Sequence, residues 1–194
     1  MKPPHPNKFW LIGTAVVLLC TLVVAIKVHN NLSVPYFRAN SSEHFYWTES
    51  AFHFRHARMV SDGDSIPVED MQIQHPEGLR VRRYITPLMD QIYGRLHRWF
   101  FADTELHVFL IYAVSIFSTL SLLACFFAGW SLWQSPWIAL ICATMYGLVP
   151  ASTARVTSSL NREDFALPLL FGSFACFLAC MKKQRPAVVL GGAA

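Results

Sequence analysis

The sequence is poor in charged residues, which make up 14% of its 194 positions, whereas 54% are hydrophobic. Soluble domains average about 25% charged residues, so this composition argues against one, and it excludes a disordered chain. Charge is absent altogether from Leu106 to Ala154. All but two of the twelve acidic residues lie between Glu43 and Glu105, and the two others are Glu163 and Asp164. This distribution is typical of an integral membrane protein with one large polar loop.

Cysteine is absent from that polar loop, because all five cysteines lie inside apolar runs. Neither a disulfide framework nor a paired-cysteine zinc site is therefore indicated. The net charge of +4 is small. We interpret it as basic residues at the membrane boundaries, so no nucleic-acid partner is expected.

Apolar runs divide the chain into four predicted membrane spans. Residues 1–28 are predicted to form a cytoplasmic tail and the first transmembrane helix, and residues 29–106 a first external loop with amphipathic helices. Residues 107–181 are predicted to form three transmembrane helices, with a short acidic external loop, the second loop, at 152–164. Residues 182–194 would form a cytoplasmic basic turn and the start of a further span, so we expect the chain to be the N-terminal part of a larger protein.

Basic residues near the spans set the predicted orientation. Lys2 and Lys8 precede the first span, and Lys182, Lys183 and Arg185 follow the fourth, with no acid in either segment. Both segments are therefore predicted to be cytoplasmic, which puts the two acidic loops together on the external, periplasmic or lumenal side. A cleaved signal peptide is the alternative interpretation of the first apolar run, although its apolar core would be shorter.

One helix predicted in the first loop, from Glu43 to Gly63, carries acid and histidine on the same face. Glu49, His53 and His56 fall there at positions i, i+4 and i+7. The plainer interpretation is an amphipathic helix on the membrane surface with its histidines at headgroup level. A carboxylate and two histidines could also bind zinc, and the sequence leaves both interpretations open.

Basic and apolar residues follow in the same loop. The arginines either anchor the loop to lipid headgroups or bind a lipid pyrophosphate, and both interpretations stay open. They are Arg80, Arg82 and Arg83. An apolar stripe after them predicts a second surface helix that packs back on the spans. The stripe consists of Leu88, Ile92, Leu96 and Trp99.

The second loop carries Glu163 and Asp164 directly before an apolar span. Acids favour the first turn of a helix, so helix capping explains this pair as well as a site does. In the predicted topology these carboxylates lie on the same membrane face as Glu49. Two carboxylate-bearing loops at one face could share a divalent cation or a phosphate-bearing substrate.

Three segments together resemble a known family. Residues 49–58 combine an acid with an aromatic-rich segment that ends in arginine, residues 75–78 read His-Pro-Glu-Gly, and residues 149–164 lead from proline and arginine into acids. In this order and topology they resemble the loop motifs of the oligosaccharyltransferase catalytic subunits. The likeness extends from about Trp10 to Met181.

The resemblance implies an all-α polytopic membrane protein with GT-C-like transmembrane helices and a large helical first external loop. It implies a membrane glycosyltransferase that moves a glycan from a lipid-linked (pyro)phosphate donor to the asparagine of an Asn-x-Ser/Thr acceptor, with Mn²⁺ or Mg²⁺ as cofactor. The implied partners are a lipid-linked oligosaccharide, an acceptor polypeptide and membrane lipid. The alternatives are another GT-C transferase that uses a polyprenyl-phosphate sugar, and a non-catalytic transporter or assembly subunit.

The resemblance also implies site residues. Glu49 and Glu163 take the positions of catalytic residues and metal ligands, and Asp164 is a further metal ligand. His53 and Asn161 are secondary candidates, since Asn161 stands where the family has an acid and an amide is a poorer ligand for a hard cation. The implied binding set for the lipid phosphate is His75, Arg80, Arg82 and Arg83. The segment alone is expected to be inactive.

Overall fold

The computed structural model describes residues 6–43, 45–47, 49–73, 77–84 and 86–191, and is mostly helical. Its side chains are described except those of residues 6–9, 82, 84 and 182–191. The first loop also contains a two-stranded antiparallel sheet.

Three helices have the length and apolar composition of membrane spans, which indicates a membrane protein. They are α1 (Pro6–Leu32), α5 (Leu106–Trp133) and α8 (Arg162–Gly191). Their apolar windows have mean hydropathies of 2.5, 2.2 and 1.8. The first, second and fourth predicted spans therefore correspond to helices of spanning length.

The third predicted span is shorter than expected. Helix α6 (Pro136–Leu148) has 13 residues, fewer than the roughly 17–25 of a helix that crosses a membrane. The helix ends because Val149 takes an extended conformation before Pro150, as residues before proline commonly do. Pro150 then begins the short helix α7 (Pro150–Ala154).

The described part of the first loop contains three helices and the sheet, and the two longer helices pack against each other. Helix α2 (Glu49–Asp62) ends at Gly63, whose φ of 101° suits glycine, so the predicted end is confirmed although the helix begins later than predicted. The rest of the loop consists of β1 (Glu69–Asp70), β2 (Leu79–Arg80), α3 (Val81–Tyr84) and α4 (Leu88–Phe100).

Helix α5 lies at the centre of two apolar clusters. At one end of α5, side chains of the first loop and the start of α8 pack against it, with Ala57, Tyr93, Leu110 and Leu160 among those buried. Further along, α1 and α6 pack against α5 in a second cluster. Gly129 lets α5 approach α6 closely, since an added Cβ would stand 3.2 Å from the Cα of Ala139.

Helix α1 runs past the point at which the first span was predicted to end. Lys27, near the end of α1, is only 3% exposed. Its Nζ donates a hydrogen bond to Ser118 Oγ at 2.9 Å and lies 3.4 Å from Thr119 Oγ1. These hydroxyl groups of α5 compensate for burial of the ammonium group. The contact could not be predicted from the residues next to Lys27 in the sequence, because Ser118 and Thr119 are distant in the chain.

Candidate functional site

The helices α2 and α4 approach each other closely at Gly94. A Cβ at this position would lie 2.5 Å from the carbonyl oxygen of Ala57 and 2.7 Å from Cβ of Val60. The absence of a side chain therefore brings the backbones of the two helices together. Residues one turn away on each helix consequently face each other at short range.

Two of those residues are His53 of α2 and Asp90 of α4, both 0% exposed. His53 Nδ1 lies 2.8 Å from Asp90 Oδ1, a hydrogen bond in which the ring N–H donates to the carboxylate. His56 lies between two acids, with Nδ1 3.6 Å from Asp90 Oδ2 and Nε2 3.5 Å from Asp70 Oδ2. Both histidines are thus buried inside the folded loop.

Asp70, at the end of β1, binds the same cluster from the other side. Arg55 Nε donates to Asp70 Oδ2 at 3.1 Å, and the backbone N–H of Gln72 donates to Oδ1 at 3.0 Å. Burial raises the pKa of Asp70, but the hydrogen bonds from Arg55 and Gln72 and the charge of Arg55 outweigh it, so the pKa lies below its usual value. Asp70 is therefore ionised at neutral pH.

The first and second loops contact each other at the start of α2. Glu49 Oε1 lies 3.2 Å from Nε of Arg162, the first residue of α8. Next to it, the Ser50 hydroxyl donates to Asn161 Oδ1 at 3.3 Å and accepts from the backbone N–H of Leu160 at 3.0 Å. Glu49 and Asn161, more than a hundred positions apart, are thereby held in one small region.

Glu163 and Asp164 lie in the first turn of α8, beside that contact, and both pair with Arg155. The distances are 3.4 Å from Arg155 Nη2 to Glu163 Oε2 and 3.4 Å from Arg155 Nε to Asp164 Oδ1. Glu163 is half-exposed, whereas Asp164 is buried and its Oδ2 has no hydrogen-bond partner within the described part of the chain. An orphaned buried oxygen is costly, so it indicates a place for a further cation or donor.

A pocket of about 250 Å³ opens between the segment before α4 and the first turn of α8. Its polar lining comes from Thr86, Arg162 and Glu163. Its apolar lining comes from Leu88, Met89, Phe165 and Ala166. Charged and apolar side chains therefore both line this pocket.

The carboxylates suit a hard divalent cation in their chemistry, since Mn²⁺ and Mg²⁺ prefer charged oxygens. Among the described residues, however, no group of three histidine, cysteine or acidic side chains stands close enough to hold a metal. Arg162 forms an ion pair with Glu49, and Arg155 forms one with Glu163. The residues therefore suit a hard cation in donor type alone, and that they bind one stays a prediction.

The implied phosphate-binding residues have different outcomes. His75 lies outside the described residues, and so does the side chain of Arg82. Arg80, on β2, is exposed and lies 4.0 Å from Glu69, whereas Arg83 is exposed on α3. That this group binds a lipid phosphate stays a prediction.

Sequence reasoning missed Asp90 and chose the wrong face of α4. The stripe predicted to pack on the spans is largely exposed, with Trp99 at 66% and Leu88 at 52%. The buried face is instead Met89, Asp90, Tyr93, Gly94 and His97. The sequence does contain an indication of this buried face, because the five positions have helical spacing and include a glycine. It was overlooked because two of the five residues, Asp90 and His97, are polar.

Comparison with known proteins gives no relative, since no protein-family model, curated protein or solved structure matches the chain.

Proposed function

We propose that the protein is a membrane glycosyltransferase of the oligosaccharyltransferase type, with a GT-C-like arrangement of transmembrane helices. It would transfer a glycan from a lipid-linked (pyro)phosphate donor to an asparagine in an Asn-x-Ser/Thr acceptor. One observation carries the proposal: two of the segments that resemble the family's loop motifs meet, through the pairing of Glu49 with Arg162 and of Ser50 with Asn161.

In this proposal the site lies on the external, periplasmic or lumenal side, with both loops above the spans. Glu49, Glu163 and the orphaned oxygen of Asp164 would hold Mn²⁺ or Mg²⁺. Such a cation, when bound, offsets negative charge on the departing (pyro)phosphate. Arg162, which lines the pocket beside Glu163, would then donate to a phosphate oxygen of the donor.

The pocket also supports an amphiphilic donor. Its charged wall, Arg162 and Glu163, faces the phosphate end of such a molecule in the proposal, and Leu88 and Phe165 face the apolar end. Leu88 is 52% exposed at the start of α4, so the apolar wall is open to the surroundings. A lipid-linked sugar would combine both properties in one molecule.

The test is glycan transfer by the full-length protein to a peptide with one Asn-x-Ser/Thr sequence, in the presence of Mn²⁺. Glu49→Ala and Glu163→Ala should each lower the rate by at least about 100-fold, as loss of a group that stabilises the transition state does. Asp103→Ala is the matched control, because Asp103 is an exposed acid and, like Glu49, belongs to the first loop. The transfer rate of this variant should be unchanged.

Undiminished transfer in either glutamate variant would contradict the site. Replacing the acceptor asparagine by glutamine should abolish transfer by the unmodified protein. Transfer only from a polyprenyl-phosphate monosaccharide to a lipid acceptor would favour the other GT-C class instead.

A further inference from the structure

The chain itself contains two segments with the acceptor sequence for N-linked glycosylation, Asn-x-Ser. They are Asn31-Leu32-Ser33 and Asn40-Ser41-Ser42, and both lie in the predicted first loop. We propose that Asn40 is a site of N-linked glycosylation and that Asn31 is not, although the two sequences are equally suitable. The inference needs the first loop to be on the external or lumenal side, as the sequence predicts. It does not need this protein to be a transferase.

The side chain of Asn31 is part of the folded interior. Asn31 lies in the last turn of α1 and is 2% exposed. Its Nδ2 donates to the carbonyl oxygen of Lys27 at 2.8 Å, and its Oδ1 accepts from the backbone N–H of Ser158 at 2.8 Å. A glycan is bulky and belongs on a surface, so a sugar on this buried nitrogen would break both contacts. The folded protein therefore has no room for a glycan at Asn31.

Asn40, in contrast, lies at the tip of a tight turn. The turn runs from Arg38 to Ser41, and the backbone N–H of Ser41 donates to the carbonyl oxygen of Arg38 at 3.3 Å. Ala39 and Asn40 form the tip and are both exposed, and asparagine is common in such turns. Within the described part of the chain, neither the Asn40 amide group nor the Ser42 hydroxyl has a hydrogen-bond partner. The acceptor sequence around Asn40 is thus accessible in the folded protein.

The base of this turn is fixed at the start of α5. The carbonyl oxygen of Arg38 accepts a hydrogen bond from Nε2 of the buried His107, at 2.8 Å. The ring of Phe37 packs edge-on against Phe45, with 5.8 Å between the ring centroids. His107 is the second residue of α5, so the turn lies at the end of that helix which adjoins the first loop. In the predicted orientation this is the end on the external or lumenal side.

The modification would join Nδ2 of Asn40 to the anomeric carbon of a lipid-linked oligosaccharide pyrophosphate. The bond between that carbon and the pyrophosphate oxygen breaks, and the lipid pyrophosphate leaves with the electron pair. The amide group gives up one proton to a base of the transferring enzyme and keeps the other. The hydroxyl that the acceptor sequence requires two positions later is that of Ser42. Because the tip is exposed, the bulky product displaces no buried contact.

The experiment expresses the full-length protein in cells whose endoplasmic reticulum holds lipid-linked oligosaccharide and a transferase. Digestion with a peptide N-glycosidase should lower the apparent mass by one glycan, and peptide mapping should find aspartate at position 40. Ser42→Ala should abolish this shift, whereas Ser42→Thr, which keeps the hydroxyl, should retain it. Ser33→Ala is the matched control, because it removes the acceptor sequence around Asn31 and leaves the Asn31 side chain unchanged. Its shift should equal that of the unmodified protein.

A shift that persists in Ser42→Ala, or one that disappears in Ser33→Ala, would overturn the inference. A double variant, Asp62→Asn with Asp64→Thr, creates an acceptor sequence in another exposed turn of the first loop. If that turn carries a glycan and Asn40 does not, the inference fails while the predicted side of the loop stands. If neither turn carries one, the inference and the predicted side fail together. Transfer to a separate peptide, the test of the proposed function, is measured independently of these outcomes.

Discussion

Replacing Gly94 by alanine tests the helix crossing on which the candidate site depends. The new Cβ would stand 2.5 Å from the carbonyl oxygen of Ala57, so α4 must move away from α2 by roughly 1 Å to restore ordinary contact. Overpacking of this kind costs about 1–3 kcal/mol, near the upper end here because a backbone atom is involved. The better helix propensity of alanine returns about 1 kcal/mol. We expect a net destabilisation of about 2 kcal/mol.

Thermal unfolding in detergent, followed by circular dichroism, measures this change. For a chain of this length about 2 kcal/mol lowers Tm by roughly 4–8 °C. Hydrogen exchange of the α2 and α4 peptides should rise as well. Gly172→Ala is the matched control, because a Cβ there meets nothing within 4 Å, and it should not lower Tm. Equal Tm values for the two variants would refute the close crossing.

Two further substitutions test other contacts. Asp70→Asn should destabilise the protein by about 2 kcal/mol at neutral pH, since it removes a charged hydrogen-bond acceptor. Because folding lowers the pKa of Asp70, its contribution is present above the usual value of 3.8 and is lost as the pH falls below it, so unfolding curves of both proteins should converge in acid. A constant difference down to low pH would contradict this. Asn31→Ala should cost about 1–3 kcal/mol, because the buried Asn31 Oδ1 accepts from the backbone N–H of Ser158 at 2.8 Å. Faster proteolysis near Ser158 would support that contact, and an unchanged rate would contradict it.

The local elements were largely predictable. Long uncharged runs predicted the helices of spanning length, and Gly63 marked the end of α2 because a helix often ends at a residue with positive φ. The spacing of Glu49, His53 and His56 also placed them on one helix, as found. These features depend on neighbours in the chain, which a sequence displays directly.

The partners of these residues were not predictable in the same way. Periodicity shows which residues share a face of α4 but not which face meets another helix. The face that meets α2 is the one with Gly94, and not the apolar stripe that was predicted to pack. Lys27 is a charged residue that is nevertheless buried, because hydroxyl groups on α5 make its burial tolerable. Such compensation comes from residues about ninety positions away, which a local window does not include.

By itself the sequence determined a helical membrane protein with acids gathered in two loops, because composition and the spacing of apolar residues set what each segment can bury. Only the tertiary structure decided that Glu49 pairs with Arg162 and that Asp90 binds His53. Those pairings follow from how closely the helices pack, since the short range of hydrogen bonds makes distance in space, not in sequence, the decisive quantity.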